Sequence, residues 1–96
     1  VRNYPPTINS ERETAFAAKV MADIVGADNV TPQEPTMGAE DFAYMLQAKP
    51  GCYIRVGQGG REGCYLHNSR YDFNDEILPL GAALYASLVE QALAPA

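Results

Sequence analysis

The only histidine in the chain, His67, lies in the stretch CYLHNSRYDFNDEILPLG, which runs from Cys64 to Gly81. An imidazole there has three roles open to it: a hydrogen-bonded structural residue, a metal ligand or a proton-transferring base. Cys64 and His67 have C-x-x-H spacing, which can present two zinc ligands. A closed structural site needs four, however, and Cys52 is the only other cysteine. Ser69 or Cys64 as a nucleophile would need a base, an orienting carboxylate and a sharp nucleophile turn, and neither residue lies in such a turn. Asp72, Asp75 and Glu76 can join His67 on a divalent cation, although their positions suit capping of the loop and the following helix better. Glu40 and Asp41, a second acidic cluster, carry the same double reading.

A histidine that works needs elements to hold it. Asn68, Asp72, Asn74 and Asp75 are residue types that close turns with their own side chains, so the segment reads as a fixed loop. Before it, Cys64 to Leu66 is expected to be a short strand. After it, a helix begins near Leu78, with Pro79 tolerated in its first turn and Leu80, Leu84 and Leu88 on one face, joined by Ala83 and Leu93. Further upstream, CYIRV from Cys52 to Val56, bounded by Gly51 and Gly57, reads as an interior strand. The GQGGREG that follows resembles a dinucleotide loop only superficially, because Glu62 stands where the third glycine belongs and no amphipathic helix starts there.

The first half supplies helices. Ser10 and Glu13 have capping-box spacing, and Ala15, Phe16, Val20 and Ile24 with Ala17 and Met21 form an apolar face, predicting a helix from about Glu11 to Val25 closed by Gly26 as a left-handed cap. Gly38 to Asp41 opens a second helix whose Phe42, Met45 and Leu46 share a face, ended by Pro50-Gly51, with Glu40 and Asp41 in its first turn. Residues 27–37 connect the two, with Val30-Thr31 as a possible short strand. Residues 1–8 contain Pro5-Pro6 and are expected to be an extended edge strand or linker. Helices packed on a short-stranded sheet make an α/β layer. Two or three short strands are few for three helices, so the sheet is expected to continue in chain beyond these residues.

Bulk properties limit the function classes. With 96 residues, 47% of them apolar, the chain can bury one core. A net charge of -5 with only seven Lys and Arg lacks the clustered positive field that binds nucleic acid. The longest uncharged apolar run, Ile77 to Val89, is shorter than the roughly 20 residues a bilayer span requires and contains Pro79 and Gly81. No membrane partner is expected. The two cysteines suit free, buried thiols of a reducing cytoplasm, which is the expected location. No signal peptide is visible, and an N-terminus without Met is expected to be a cut end.

Several segments together resemble one family. MGAEDF at Met37 to Phe42, PGCY at Pro50 to Tyr53, Gly57, and LHNSRYDFNDEILPLGA at Leu66 to Ala82 are similar, in order and spacing, to the C-terminal part of the M20 metallopeptidases. The nearest branch is that of the amidohydrolases, with hippurate hydrolase, N-acyl-amino-acid hydrolases and auxin-conjugate hydrolases. YPPTIN at Tyr4 to Asn9 resembles the point where that family's inserted lid domain returns to the catalytic domain.

The resemblance implies a zinc-peptidase-like (phosphorylase/hydrolase-like) α/β catalytic domain. Residues 1–8 would return from the lid, and residues 9–96 would form the C-terminal portion of the catalytic domain. It also implies two divalent metal ions, zinc or manganese, activating a water, with a general-base glutamate upstream of Val1. His67 corresponds to the family's last metal ligand. Glu40 and Asp41 correspond to an acidic pair that supports the site, and Asn9 to a position at the hinge or lid edge. No catalytic residue is then expected within this chain, which alone would be inactive. The expected substrate is a small N-acyl amino acid or peptide, and the expected assembly is a homodimer through the lid. The alternative is a non-catalytic α/β module that packs or binds a partner.

Overall fold

The computed structural model describes residues 3–59 and 66–94. The chain divides into two compact units, Val1–Ile54 and Arg55–Ala96.

In the first unit the leading helix, α1, spans Glu11–Val25, as the apolar spacing predicts. Ala17 and Val20, one turn apart, are its buried residues, while Phe16, Met21 and Ile24 are half-buried beside them and Ala15, expected on the same face, is exposed. The helix ends at Gly26, whose N–H bonds the Ala22 carbonyl. Its φ of 88° is positive, as only glycine tolerates easily, but its ψ of 144° is not that of the expected left-handed cap. Asn29 supplies the rest of the stop, donating through Nδ2 to the Val25 carbonyl at 2.7 Å from the 3₁₀ turn Ala27–Asn29.

The capping box does not form. Ser10 occupies the N-cap position in extended geometry, yet its hydroxyl makes no bond within the helix. It accepts instead from the Gly51 N–H at 3.0 Å, while the Ser10 N–H donates to the Gly51 carbonyl at 2.8 Å. Asn9 does the same for Tyr53: Oδ1 accepts from its N–H at 2.7 Å, and Nδ2 donates to its carbonyl at 3.3 Å. Residues 9–10 and 51–53 are thus held side by side largely through side chains.

This is where the expected strand at Cys52 to Val56 departs from observation, because among the described residues no strand occurs. A strand is defined by its backbone partner, and here the polar side chains of Asn9 and Ser10 take most of the places that a neighbouring backbone would fill. Val30-Thr31 and residues 3–8 are likewise without strand pairing. Of the expected strand at residues 64–66, Cys64 and Tyr65 lie outside the described residues, and Leu66 is in a turn. The sheet of the expected α/β layer is therefore not present among the described residues.

The second helix, α2, spans Phe42–Ala48. At 7 residues it is too short to persist alone, so packing must hold it. Ala43 is fully buried, and Phe42 and Leu46 are half-buried. Met45, expected on the same face, is 63% exposed. Gly51 passes close beneath this helix: a Cβ there would stand 3.4 Å from Leu46 Cδ2. The rings of Phe42 and Tyr53 pack at 5.5 Å between centroids, and those of Tyr4 and Tyr44 at 5.9 Å.

In the second unit a 3₁₀ turn, Asp75–Ile77, leads directly into α3, Leu78–Ala92, with Pro79 in its first turn. Leu84 is buried, with Leu80 and Leu88 half-buried on either side, which matches the expected stripe. Ala83 and Leu93 do not join it, since both are exposed. No helix among the described residues is long and apolar enough to cross a membrane.

Candidate functional site

His67 follows Leu66 in a turn and is exposed. Its φ of 70° makes it the one non-glycine residue with positive φ among the described residues. Histidine is among the few side chains enriched in that region, and such a conformation persists when its surroundings hold it.

The surroundings are built from the residue types that mark the loop in the sequence. Asn68 Oδ1 accepts from the Arg70 N–H at 2.8 Å, forming an Asx turn immediately after His67. The Tyr71 N–H then donates to the Asn68 carbonyl at 3.0 Å and closes a four-residue turn. Asn74 Oδ1 accepts from the Glu76 N–H at 3.1 Å and caps the 3₁₀ entry to α3.

A residue that sequence reasoning missed joins these turns together. Gln58 Oε1 accepts from the Tyr71 hydroxyl and from the Asn74 N–H, each at 3.2 Å. The Gln58 carbonyl accepts from Asn74 Nδ2 at 2.7 Å. Nothing in GQGG signals these partners, which lie 13 and 16 residues away.

Glu40 and Asp41 belong to the other unit. Glu40 Oε1 accepts from the Phe42 N–H at 3.3 Å, and Oε2 from the Tyr53 hydroxyl at 3.1 Å. Asp41 stands at the N-cap of α2 without a side-chain cap bond, so Glu40 performs the capping that either residue type predicts. The hydrogen bond shared with Asp41, then those from the Phe42 backbone and Tyr53, hold the Glu40 carboxyl below its ordinary range. The same shared bond, followed by the charge of Glu40, pushes the Asp41 carboxyl up. Asn9, expected at a hinge or lid edge, acts here as the amide clamp on Tyr53.

Among the described residues, no three His, Cys, Asp or Glu side chains are grouped to hold a metal ion. Asp72, Asp75 and Glu76 are exposed around the loop. Cys64 and Glu62, on which the C-x-x-H and nucleotide-loop readings turned, lie outside the described residues. What the loop offers toward a cation is one imidazole on a backbone tied down by hydrogen bonds, which suits a single ligand position.

Residues 1–91 match the family described as Peptidase family M20/M25/M40. The chain belongs to this family. As an M20 chain it is 34% identical over 93 residues to IAA-amino acid hydrolase ILR1-like 4 of Arabidopsis thaliana, covering 94% of this chain and 21% of the relative. It is 35% identical over 88 residues to Thermostable carboxypeptidase 1 of Saccharolobus solfataricus, covering 88% and 22%. Hippurate hydrolase of Campylobacter jejuni is 34% identical over 85 residues, again covering 88% and 22%. The M20 chain thus spans about a fifth of the length of these relatives. No solved structure gives a significant match. The family is one of hydrolases and peptidases that generally depend on divalent metal, and membership supports a peptidase-like fold.

Proposed function

We propose that these residues are the C-terminal portion of a metal-dependent amidohydrolase that cleaves the amide bond of N-acyl amino acids or small peptides. The observation that carries the reading is His67, an exposed imidazole held at positive φ in a hydrogen-bonded loop of an M20 chain. The names of two relatives, an IAA-amino acid hydrolase and a hippurate hydrolase, support the substrate class.

In this reading His67 contributes one ligand to a site for two divalent ions, zinc or manganese, and the other ligands and the general-base glutamate lie outside this chain. The chemistry supplied by such cations is activation of water at neutral pH and polarisation of an amide carbonyl. The chain's own share is to hold the imidazole: the Asn68 turn and the Asn74 cap set the path of the loop on which it sits. Of the acidic pair Glu40 and Asp41, Glu40 gives support by fixing Tyr53 and the start of α2. Residues 1–8 return from a lid domain through which the protein forms a homodimer, and the protein works in the cytoplasm. Alone, these residues are inactive, because one histidine cannot hold two cations.

The experiment is amidase turnover of the complete polypeptide on an N-acyl amino acid before and after chelation. Activity is expected to disappear with the metal and return on adding zinc or manganese. Turnover that survives complete removal of metal would count against the reading.

A further inference from the structure

We infer that Gln58 is a positioning residue for His67, setting the imidazole through the loop that follows it. The inference rests on the reading of His67 as a metal ligand. The turns at Asn68 fix only the internal shape of the loop, since their partners lie within three residues of one another. Placement of the loop needs a bond from outside it, and Gln58 supplies three such bonds, two to the side-chain oxygen and one to the backbone carbonyl.

The chemistry is specific to this side chain. An amide oxygen has two lone pairs, and both are used, by the Tyr71 hydroxyl and the Asn74 N–H. Gln58, Tyr71 and Asn74 are all half-buried, so losing the acceptor leaves two donors poorly served by water. Gly59, with φ of 61°, lets the backbone turn away directly after Gln58 while its side chain reaches the loop. His67 stands four positions before Tyr71, in a conformation that relaxes when its support is removed.

The test uses the complete polypeptide and zinc as the probe, measuring zinc retained per protein against a competing chelator. Gln58→Leu keeps the bulk and removes the acceptor, Gln58→Glu keeps the acceptor, Tyr71→Phe deletes one bond, and His67→Ala is the reference. Gln58→Leu is expected to weaken zinc binding about 10- to 100-fold, the usual effect of losing a partner that orients a ligand. Gln58→Glu should recover most of that loss, and Tyr71→Phe should show a smaller loss in the same direction. Thermal midpoints of the metal-free forms, lowered in Gln58→Leu by the two unserved donors but still above the assay temperature, separate positioning from unfolding.

If His67→Ala loses zinc while Gln58→Leu and Tyr71→Phe keep the parent affinity, the positioning role is overturned and the ligand reading stands. A loss that Gln58→Glu shares with Gln58→Leu also overturns it, because the acceptor would then not matter. If His67→Ala itself keeps zinc, the ligand reading fails.

Discussion

Both carboxylate oxygens of Glu40 are engaged, one by the Phe42 N–H and the other by the Tyr53 hydroxyl, while Asp41 stands next to it. The consequence is that the two carboxyls are displaced from their ordinary ranges in opposite directions. Aspartate ordinarily ionises below glutamate, but here the shared hydrogen bond lowers Glu40 and raises Asp41. Carboxyl-detected NMR of labelled protein should show Glu40 titrating below the ordinary glutamate range and Asp41 above the ordinary aspartate range, and Tyr53→Phe should bring Glu40 back up. The two groups act on stability with opposite signs. Glu40's contribution is present above the ordinary glutamate range and lost as pH falls through its lowered value. Asp41's is present below the ordinary aspartate range and lost as pH rises through its raised value. At this scale the turns around His67 were legible, because Asn68 and Asn74 close them with their own side chains. Gln58 was not, because its meaning lies in a hydroxyl and a backbone N–H that come near only once the chain has folded.

At the scale of elements, the expected helices are present while the expected strands are not among the described residues, and the reason is locality. The apolar face and Gly26 that bound α1, and Pro79 at the start of α3, act through residues three or four apart. A strand depends on a distant partner, and residues 51–53 found theirs in the side chains of Asn9 and Ser10. The same contest decided the capping box. Ser10 and Glu13 have the right spacing, but a hydroxyl that accepts from Gly51 is turned away from α1. Ser10→Ala should therefore cost about 1 kcal/mol of stability through the lost bond to Gly51. Glu13→Ala should stay within about 0.5 kcal/mol, since the half-buried Glu13 side chain takes no part in a capping box. Denaturant unfolding of the two variants checks this, and equal losses would restore the capping box.

At the scale of the whole molecule, the chain covers about a fifth of the length of its M20 relatives. Among the described residues the buried hydrophobics are Ala17, Val20 and Ala43 in the first unit and Leu84 in the second, while Tyr85, Val89 and Leu93 of the α3 region are exposed. A single imidazole on such a unit binds a cation weakly. Calorimetric titration of these 96 residues with zinc should accordingly show no tight stoichiometric binding. Tight binding would point instead to Cys64 and His67 acting together. The central claim, that His67 is one ligand of a metal site in the complete hydrolase, is tested most directly by metal analysis of the complete polypeptide carrying His67→Ala, after dialysis against a chelator. The account predicts that the variant retains less zinc or manganese than the parent and loses most amidase activity; equal metal content in variant and parent would contradict it.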